Sequence, residues 1–331
     1  MLSSLPPAYI NGTGSYLPAN VLDNKTLEKL VETSDDWIIQ RTGISERRKV
    51  IVGEEASSDL GANAALKALE IAQIKPSEID FILCATITPD TIFPSTACHI
   101  QRKLEAYQAA CLDISAACTG FPYALSIAQQ FIATQTYRNI LVIGAECLST
   151  ITDYTNRETC ILFGDGAGAV VVQNKGTHQI LGSKLYADGS DESLMLVPAG
   201  GSRNPASHKT VDIHEHYMHI NGHKVFQFAV KKMTSLVEEA LAIYGQNPVP
   251  KRVMIVPHQV NIRIIQVVQK KLNIPEENII VNLNKYGNTS SASIPIALDE
   301  AARGGRIQSG DLVILPGFGG GLTWGFTALR W

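Results

Sequence analysis

The 331-residue chain passes through a series of short apolar runs and amphipathic segments, then passes through it again about 171 residues later. In the first pass, 78–86, 109–115 and 138–146 read as strands. The stretches 96–107 and 119–134 carry the 3.6-residue spacing of helices. In the second, strands 251–258, 277–283 and 311–319 alternate with helices 261–272 and 290–305. Earlier segments match as well, 9–19 with 180–189 and 57–74 with 225–245. The offset is nearly fixed: Phe81 to Met254 is 173 positions, Cys118 to Asn288 is 170, Val142 to Val313 is 171. Segments 20–56 and 145–165 have no counterpart and read as insertions. A constant offset over five elements predicts a duplicated α/β chain with halves 1–175 and 176–331. Strand–helix alternation predicts parallel or mixed sheets covered by helices, the two halves packed face to face. Ligands of open α/β sheets collect beyond the carboxyl ends of the strands.

The chain is 45% hydrophobic, enough for a large core and too much for a disordered polymer. Its net charge of −3 excludes a nucleic-acid binder that works by bulk positive charge. No apolar run reaches the ~18 residues of a membrane span. The first ten residues lack the basic and apolar blocks of a signal peptide. The six cysteines form no CxxC pair and no zinc-finger spacing. A reduced, cytoplasmic compartment is expected, with free thiols.

Four strand ends carry chemistry. Cys118 follows strand 109–115 where a helix starts, between the small residues Ala116, Ala117 and Gly120. Helix-terminal N–H groups there favour a thiolate. His258 alone of eight histidines lies at a strand-to-helix junction. Asn288 takes in the second half the slot that Cys118 takes in the first. The last strand runs into Gly319-Gly320-Gly321, whose N–H groups suit an oxyanion. Each also has a plain structural use: a buried cysteine, a satisfied histidine, a helix-capping asparagine, a hairpin turn. Gly164–Gly168 opens no helix and fails as a nucleotide fingerprint. A thiol, an imidazole, a carboxamide and a glycine turn together suit acyl transfer onto sulfur followed by stabilisation of an enolate.

Eight ordered stretches span the chain: SDDWIIQRTGISERR (34–48), FPSTAC (93–98), DISAACTGF (113–121), LFGDGAGA (162–169), NGHKVF (221–226), PHQVNIRI (257–264), KYGNTSSASIP (285–295) and GFGGGLTWG (317–325). They resemble the β-ketoacyl-[acyl carrier protein] synthase III family of thiolase-like condensing enzymes. The resemblance implies the five-layered αβαβα thiolase fold, a homodimer, and a Cys-His-Asn set falling on Cys118, His258 and Asn288. It implies that Cys118 takes an acyl group from acyl-CoA, with the N–H groups of Cys118 and Gly320 as oxyanion hole. Malonyl-acyl carrier protein then loses CO₂ while His258 and Asn288 donate to the thioester oxygen, and the carbanion attacks the acyl-cysteine. By motif position, CoA falls to Thr33, Trp37, Arg41, Arg157, Gly222, Phe226 and Asn261, and the acyl pocket to Phe93 and Phe318. Acyl-CoA is a substrate, so no bound cofactor and no metal are implied.

Arg263, Lys270 and Lys271, spaced i, i+7 and i+8, share one face of the helix after His258. With Gln259, Val260, Asn261 and Ile262 they are the expected docking face for an acidic carrier protein. Two residues depart from the family's pattern: Val260 stands where the motif usually has alanine, and Gln227 where many relatives are basic. Five histidines crowd 208–223; His214 and His216 alternate as on one side of a strand, but no acidic or cysteine ligand completes a metal site. A related acyltransferase or condensing enzyme of specialised metabolism would carry the same triad. A degradative thiolate-and-cysteine thiolase is disfavoured because Gly317-Phe318-Gly319 holds no second cysteine. A two-histidine elongating synthase is disfavoured by Asn288. A non-enzymatic binding module gives no reason for three such groups at matched strand ends.

Overall fold

The computed structural model describes residues 5–246 and 248–331. Nine strands form one sheet: β1 (Ala8–Tyr16), β2 (Phe81–Ala85), β3 (Ala110–Ile114), β4 (Asn139–Glu146), β5 (Gly166–Gln173), β6 (His178–Ala187), β7 (Val253–Ile255), β8 (Leu312–Gly319) and β9 (Thr323–Arg330). The main helices are α1 (Asp35–Thr42), α2 (Ser57–Ala72), α3 (Thr96–Leu104), α4 (Gly120–Ala133), α5 (Gly222–Tyr244), α6 (Ile262–Leu272) and α7 (Ser293–Arg303).

The strand order is β7-β8-β9-β6-β1-β5-β4-β2-β3. Outward from β1 run β5, β4, β2 and β3; outward from β6 run β9, β8 and β7, then an isolated bridge from Ile255 to Ile279. The pairing type repeats too. In each half the first two steps outward are antiparallel and the next, β4–β2 or β8–β7, is parallel. This is the duplication read from the spacing.

Period-2 alternation sorts the side chains into layers. From β2, Phe81 and Leu83 face the central core, and Ile82 and Cys84 the outer one. The central core lies between α4, α7 and strands of both halves, including Val142, Val170, Met254 and Val313. Helices α2 and α3 cover the outer face of the first half-sheet, and α5 and α6 that of the second. Five layers result, helix–sheet–helix–sheet–helix.

The half-sheets join into one sheet because β1 and β6 pair antiparallel through Ala8–Ile180 and its neighbours. One expectation needs correcting. Segment 277–283 makes no strand. After Pro275 it forms a turn at Glu276–Asn278, and the backbone N–H of Asn282 donates to the Gln259 side chain instead of a ladder partner. Two strands, β5 and β9, lie where glycine-rich sequence hid them.

The two insertions pack on each other. Leu22, Leu27 and Ile38 from the first meet Cys160 and Ile161 from the second. Arg47, fully buried, ties them by donating to Leu22 O, Asn24 Oδ1 and Ile161 O. Burial lowers its guanidinium to about 10, so it stays charged at neutral pH.

Candidate active site

Cys118 lies in a 3₁₀ turn, Ala117–Thr119, at the head of α4 in the central layer. Ala117 holds a left-handed φ of 46°, which turns the chain sharply out of β3. The end of β8 presses on this turn: a Cβ on Gly319 would lie 2.6 Å from the Cys118 nitrogen, so only glycine fits there. Thr323 Oγ1 donates to Ala116 O and fastens the β8–β9 hairpin to the same turn. Gly320 is thereby held beside the cysteine.

One turn, 288–293, links the other groups. Asn288 Oδ1 accepts the Ser290 N–H at 2.8 Å, which fixes the amide and leaves Nδ2 as an unspent donor among the described residues. Ser293 Oγ lies 2.7 Å from His258 Nδ1. A hydroxyl donating to Nδ1 puts the ring proton on Nε2, which has no protein partner among the described residues. His258 is 1% exposed and burial lowers it to about 3, so the ring is neutral. Phe318 packs edge-on against it, ring centres 5.5 Å apart.

The expected resting thiolate is not what the surroundings favour. Burial pushes the Cys118 thiol up to about 12, against only a Ser290 hydroxyl and a backbone N–H. A helix N-terminus contributes at most ~2 kcal/mol, or roughly 1.5 pKa units, which does not offset that rise. The resting sulfur carries its proton.

Two cavities flank this centre. An apolar one of about 370 Å³ is lined by Ile87, Ile151, Met195, Val197, Met218 and Gly320 and reaches Ala116 and Ala117. Sequence reasoning missed these side chains, and no local pattern marks them. A second cleft of about 700 Å³, between the insertions and the starts of α5 and α6, is lined by Trp37, Arg41, Gly222, Asn261 and Arg263. Arg157 and Arg41 stand over the Trp37 ring at 5.2 and 5.5 Å. Thr33 Oγ1 is enclosed without a partner among the described residues. Phe226 lies half-buried between the cleft and the second half's outer core.

Several named residues fall elsewhere. Phe318 turns to the histidine side of β8 and Phe93 sits on an outer loop, 84% exposed, so neither lines the apolar cavity within one chain. Gln259 is buried, its amide bonded to Pro257 O and Ile280 O, and offers nothing to a docking partner. Val260 and Ile262 are half-buried in packing contacts. Asn261 caps α6 and donates to Arg41 O. Arg263, Lys270 and Lys271 are exposed, with Arg263 also on the Trp37 cleft. His214 and His216 lie in no strand. They contact Asp153 and Thr210 separately, while His219 and His223 line the cleft.

A doubled αβαβα fold with a buried cysteine heading a central helix, its turn packed against a turn of the other half that follows Asn288 and contacts His258 through Ser293, is the architecture of a thiolase-like condensing enzyme. Comparison narrows this. Family models described as 3-oxoacyl-[acyl-carrier-protein] synthase III and its C-terminal region match residues 112–189 and 252–331. The β-ketoacyl-[acyl-carrier-protein] synthase III of Caldanaerobacter subterraneus subsp. tengcongensis is 51% identical over 98% of both chains. That of Clostridioides difficile is 49% identical, also over 98% of both. The crystal structure of 3-oxoacyl-[acyl-carrier-protein] synthase III from Aquifex aeolicus superposes with a TM-score of 0.88 at 47% identity, covering 98% of this chain and all of that one. The chain belongs to the β-ketoacyl-[acyl-carrier-protein] synthase III family.

Proposed function

We infer that the protein condenses a short acyl group from acyl-CoA with malonyl-acyl carrier protein, giving 3-oxoacyl-acyl carrier protein and CO₂, the first carbon–carbon bond of fatty acid synthesis. The observation that carries this is the turn 288–293, which fixes the Asn288 amide and contacts His258 Nδ1 while packing against the turn that holds the buried Cys118.

CoA occupies the Trp37 cleft. The adenine stacks at Trp37 and Arg157, Arg41 meets phosphate, and Thr33 offers its unpartnered hydroxyl. Gly222, Phe226 and Asn261 flank the pantetheine. Cys118 sulfur attacks the thioester carbon, the N–H groups of Cys118 and Gly320 take the oxyanion, and CoA departs. The acyl chain lies among Ile151, Met195 and Met218. Malonyl-carrier then enters by the same path. His258 Nε2–H and Asn288 Nδ2–H donate to its thioester oxygen as CO₂ leaves, and the carbanion attacks the acyl-cysteine. Neutral donors suit an enolate that must stay basic enough to react. Phe318 keeps water from the imidazole.

The exposed face of Arg263, Lys270 and Lys271 receives the acidic carrier. The free edge of β3, with Leu112, Tyr107, Ile92 and Phe93 exposed around it, supports a homodimer. No helix among the described residues is long and apolar enough to cross a membrane. With six unpaired cysteines the reading is a cytoplasmic enzyme.

Intact mass spectrometry after incubation with acetyl-, propionyl- and branched acyl-CoAs tests this. One acyl adduct is expected, absent in Cys118→Ala and discharged by malonyl-carrier. An adduct that persists in Cys118→Ala overturns the assignment.

A further inference from the structure

Glu146 ends β4 inside the molecule, fully buried, and plays no part in the steps above. Its two oxygens are unequal. Oε2 accepts three donors: Thr88 Oγ1 at 2.6 Å, the Ile87 N–H at 3.1 Å and Thr86 Oγ1 at 3.3 Å. Oε1 meets one group among the described residues, Ser291 Oγ at 2.8 Å, and that hydroxyl also lies 2.8 Å from Ala85 O. A serine hydroxyl owns one proton, and a backbone carbonyl can only accept. An ionised Glu146 leaves Oε1 and Ala85 O competing for that proton. A proton on Oε1 satisfies both contacts: the acid donates to Ser291, and Ser291 donates to Ala85 O. No cation pairs with Glu146 among the described residues. A buried carboxyl without a counter-ion keeps its proton, and burial holds this one above the ordinary carboxylate range.

Ser291 sits in the middle of the turn 288–293, wedged against the first half. A Cβ on Gly144 of β4 would lie 2.3 Å from Ser291 O, and one on Gly120, at the head of α4, would lie 3.4 Å from Ser291 Cβ. The bare backbone at these two glycines lets the turn seat directly on β4 and beside the cysteine helix. Among the described residues, Ser291 Oγ makes the only side-chain hydrogen bonds from this turn to the first half. The surroundings of the carboxyl offer no positive charge. The nearby titratable groups are the thiols of Cys84, Cys118 and Cys147 and the carboxylates of Asp90, Asp113 and Asp165. Burial pushes all three thiols up, so they stay neutral. Opposite Glu146, β5 places Gly166. On the covering helices, Lys67 turns to Ser15 O, Asp59 to Lys103, and Asp299 to Arg303.

We propose that Glu146 is a positioning residue for condensation: held as a neutral acid, it donates from Oε1 to Ser291 and fixes the turn that carries Asn288 and Ser293 onto the first half. It touches no reacting atom. It acts through the placement of the Asn288 amide and, through Ser293, of His258 Nδ1. Loss of the proton sets two acceptors against one hydroxyl and loosens the turn at its middle. Glutamine reproduces the acid in shape and in hydrogen bonding, its amide N–H donating to Ser291 and its carbonyl accepting in the place of Oε2. The effect on rate rests on the reading of Cys118, His258 and Asn288 given above; the neutral acid itself does not.

The test compares the full chain as wild type, Glu146→Gln, Glu146→Ala and Ser291→Ala. The infrared spectrum of the wild type minus that of Glu146→Gln at neutral pH should show the C=O band of a protonated carboxyl; a carboxylate band in its place overturns the proposal. Urea unfolding reads the same proton. The unfolded carboxyl sheds it near the ordinary value of 4.5, whereas the folded one keeps it. From about pH 5 towards neutrality the unfolding constant of the wild type should therefore rise about tenfold per pH unit relative to that of Glu146→Gln. A ratio that stays flat or falls overturns the proposal. Condensation is followed in a single turnover from preformed acyl-Cys118. Glu146→Gln should stay within about 2-fold of the wild type, while Glu146→Ala and Ser291→Ala should slow by roughly 10-fold or more. Acyl loading should change less. Glu146→Gln as slow as Glu146→Ala, or Ser291→Ala as fast as the wild type, overturns the positioning role. Ser291→Ala decides that role if Glu146→Ala fails to fold. A wild type that forms no acyl-Cys118 would instead refute the underlying mechanism, and the infrared and unfolding results would still judge the neutral acid.

Discussion

At the scale of the residue, the site works by fixing which atoms carry protons. Ser293 Oγ lies against His258 Nδ1, and a hydroxyl that donates there holds the ring proton on Nε2. Ser293→Ala lets the ring proton move to the unused nitrogen. The condensation half-reaction should fall on the order of 10-fold, less than the 10²–10³ that follows loss of a whole donor. Acyl loading should hold its rate, and single-turnover assays of the two half-reactions check this; equal losses would deny the tautomer role. The depressed basicity of His258 also links the fold to pH. The unfolded chain's histidine binds a proton below its ordinary value of 6.5, whereas the folded ring refuses one until about 3. The unfolded state therefore gains protons first, and stability drains as pH falls from about 6.5 towards 3. Urea midpoints across that window should drop less steeply in His258→Gln than in the wild type.

At the scale of the element, the sequence was legible where a segment answers to its own periodicity. All four segments read as helices form, with ends shifted by no more than about three residues. Strand 277–283 shrinks to a single bridge at Ile279 because beyond it the Ile280 carbonyl and the Asn282 N–H turn to the Gln259 side chain, a partner that no local pattern announces. Cys118, His258 and Asn288 stood out as reactive residue types at strand ends. Ser293 did not, since its meaning lies in a contact with His258 from a distant segment. The same holds for Met195 and Met218, two ordinary hydrophobes until folding puts them on one cavity. Met218→Ala should enlarge that cavity and shift primer preference toward longer acyl groups, read from initial rates across an acyl-CoA series. The two insertions make the clearest case for element-level packing. Arg47 satisfies three acceptors across them, which the single ammonium of Lys cannot span. Arg47→Lys should cost about 2–3 kcal/mol of stability in denaturant unfolding. It should also raise the KM for acyl-CoA, because the Trp37 cleft is built on that contact.

At the scale of the whole molecule, duplication places Cys118 in one half and His258 and Asn288 in the other, so the proposed chemistry would need both halves closed on each other. The nine-stranded sheet leaves β3 as a free edge, with Leu112 exposed on it and the Phe93 loop beside it. An exposed edge strand with apolar neighbours invites pairing with another copy. In the proposed dimer, a two-fold pairing of β3 with its copy would extend the sheet and bring each exposed Phe93 loop against the partner, where it would add a wall to the apolar cavity. Leu112→Lys places like charges across that axis and should shift the protein from dimer to monomer by light scattering. Cys118 acylation by acetyl-CoA should persist in the monomer, because every group on the sulfur comes from one chain. Discrimination against longer primers should weaken, because the phenylalanine wall is gone. A dimer that survives Leu112→Lys, or a monomer with unaltered primer discrimination, would remove β3 and Phe93 from the assembled site.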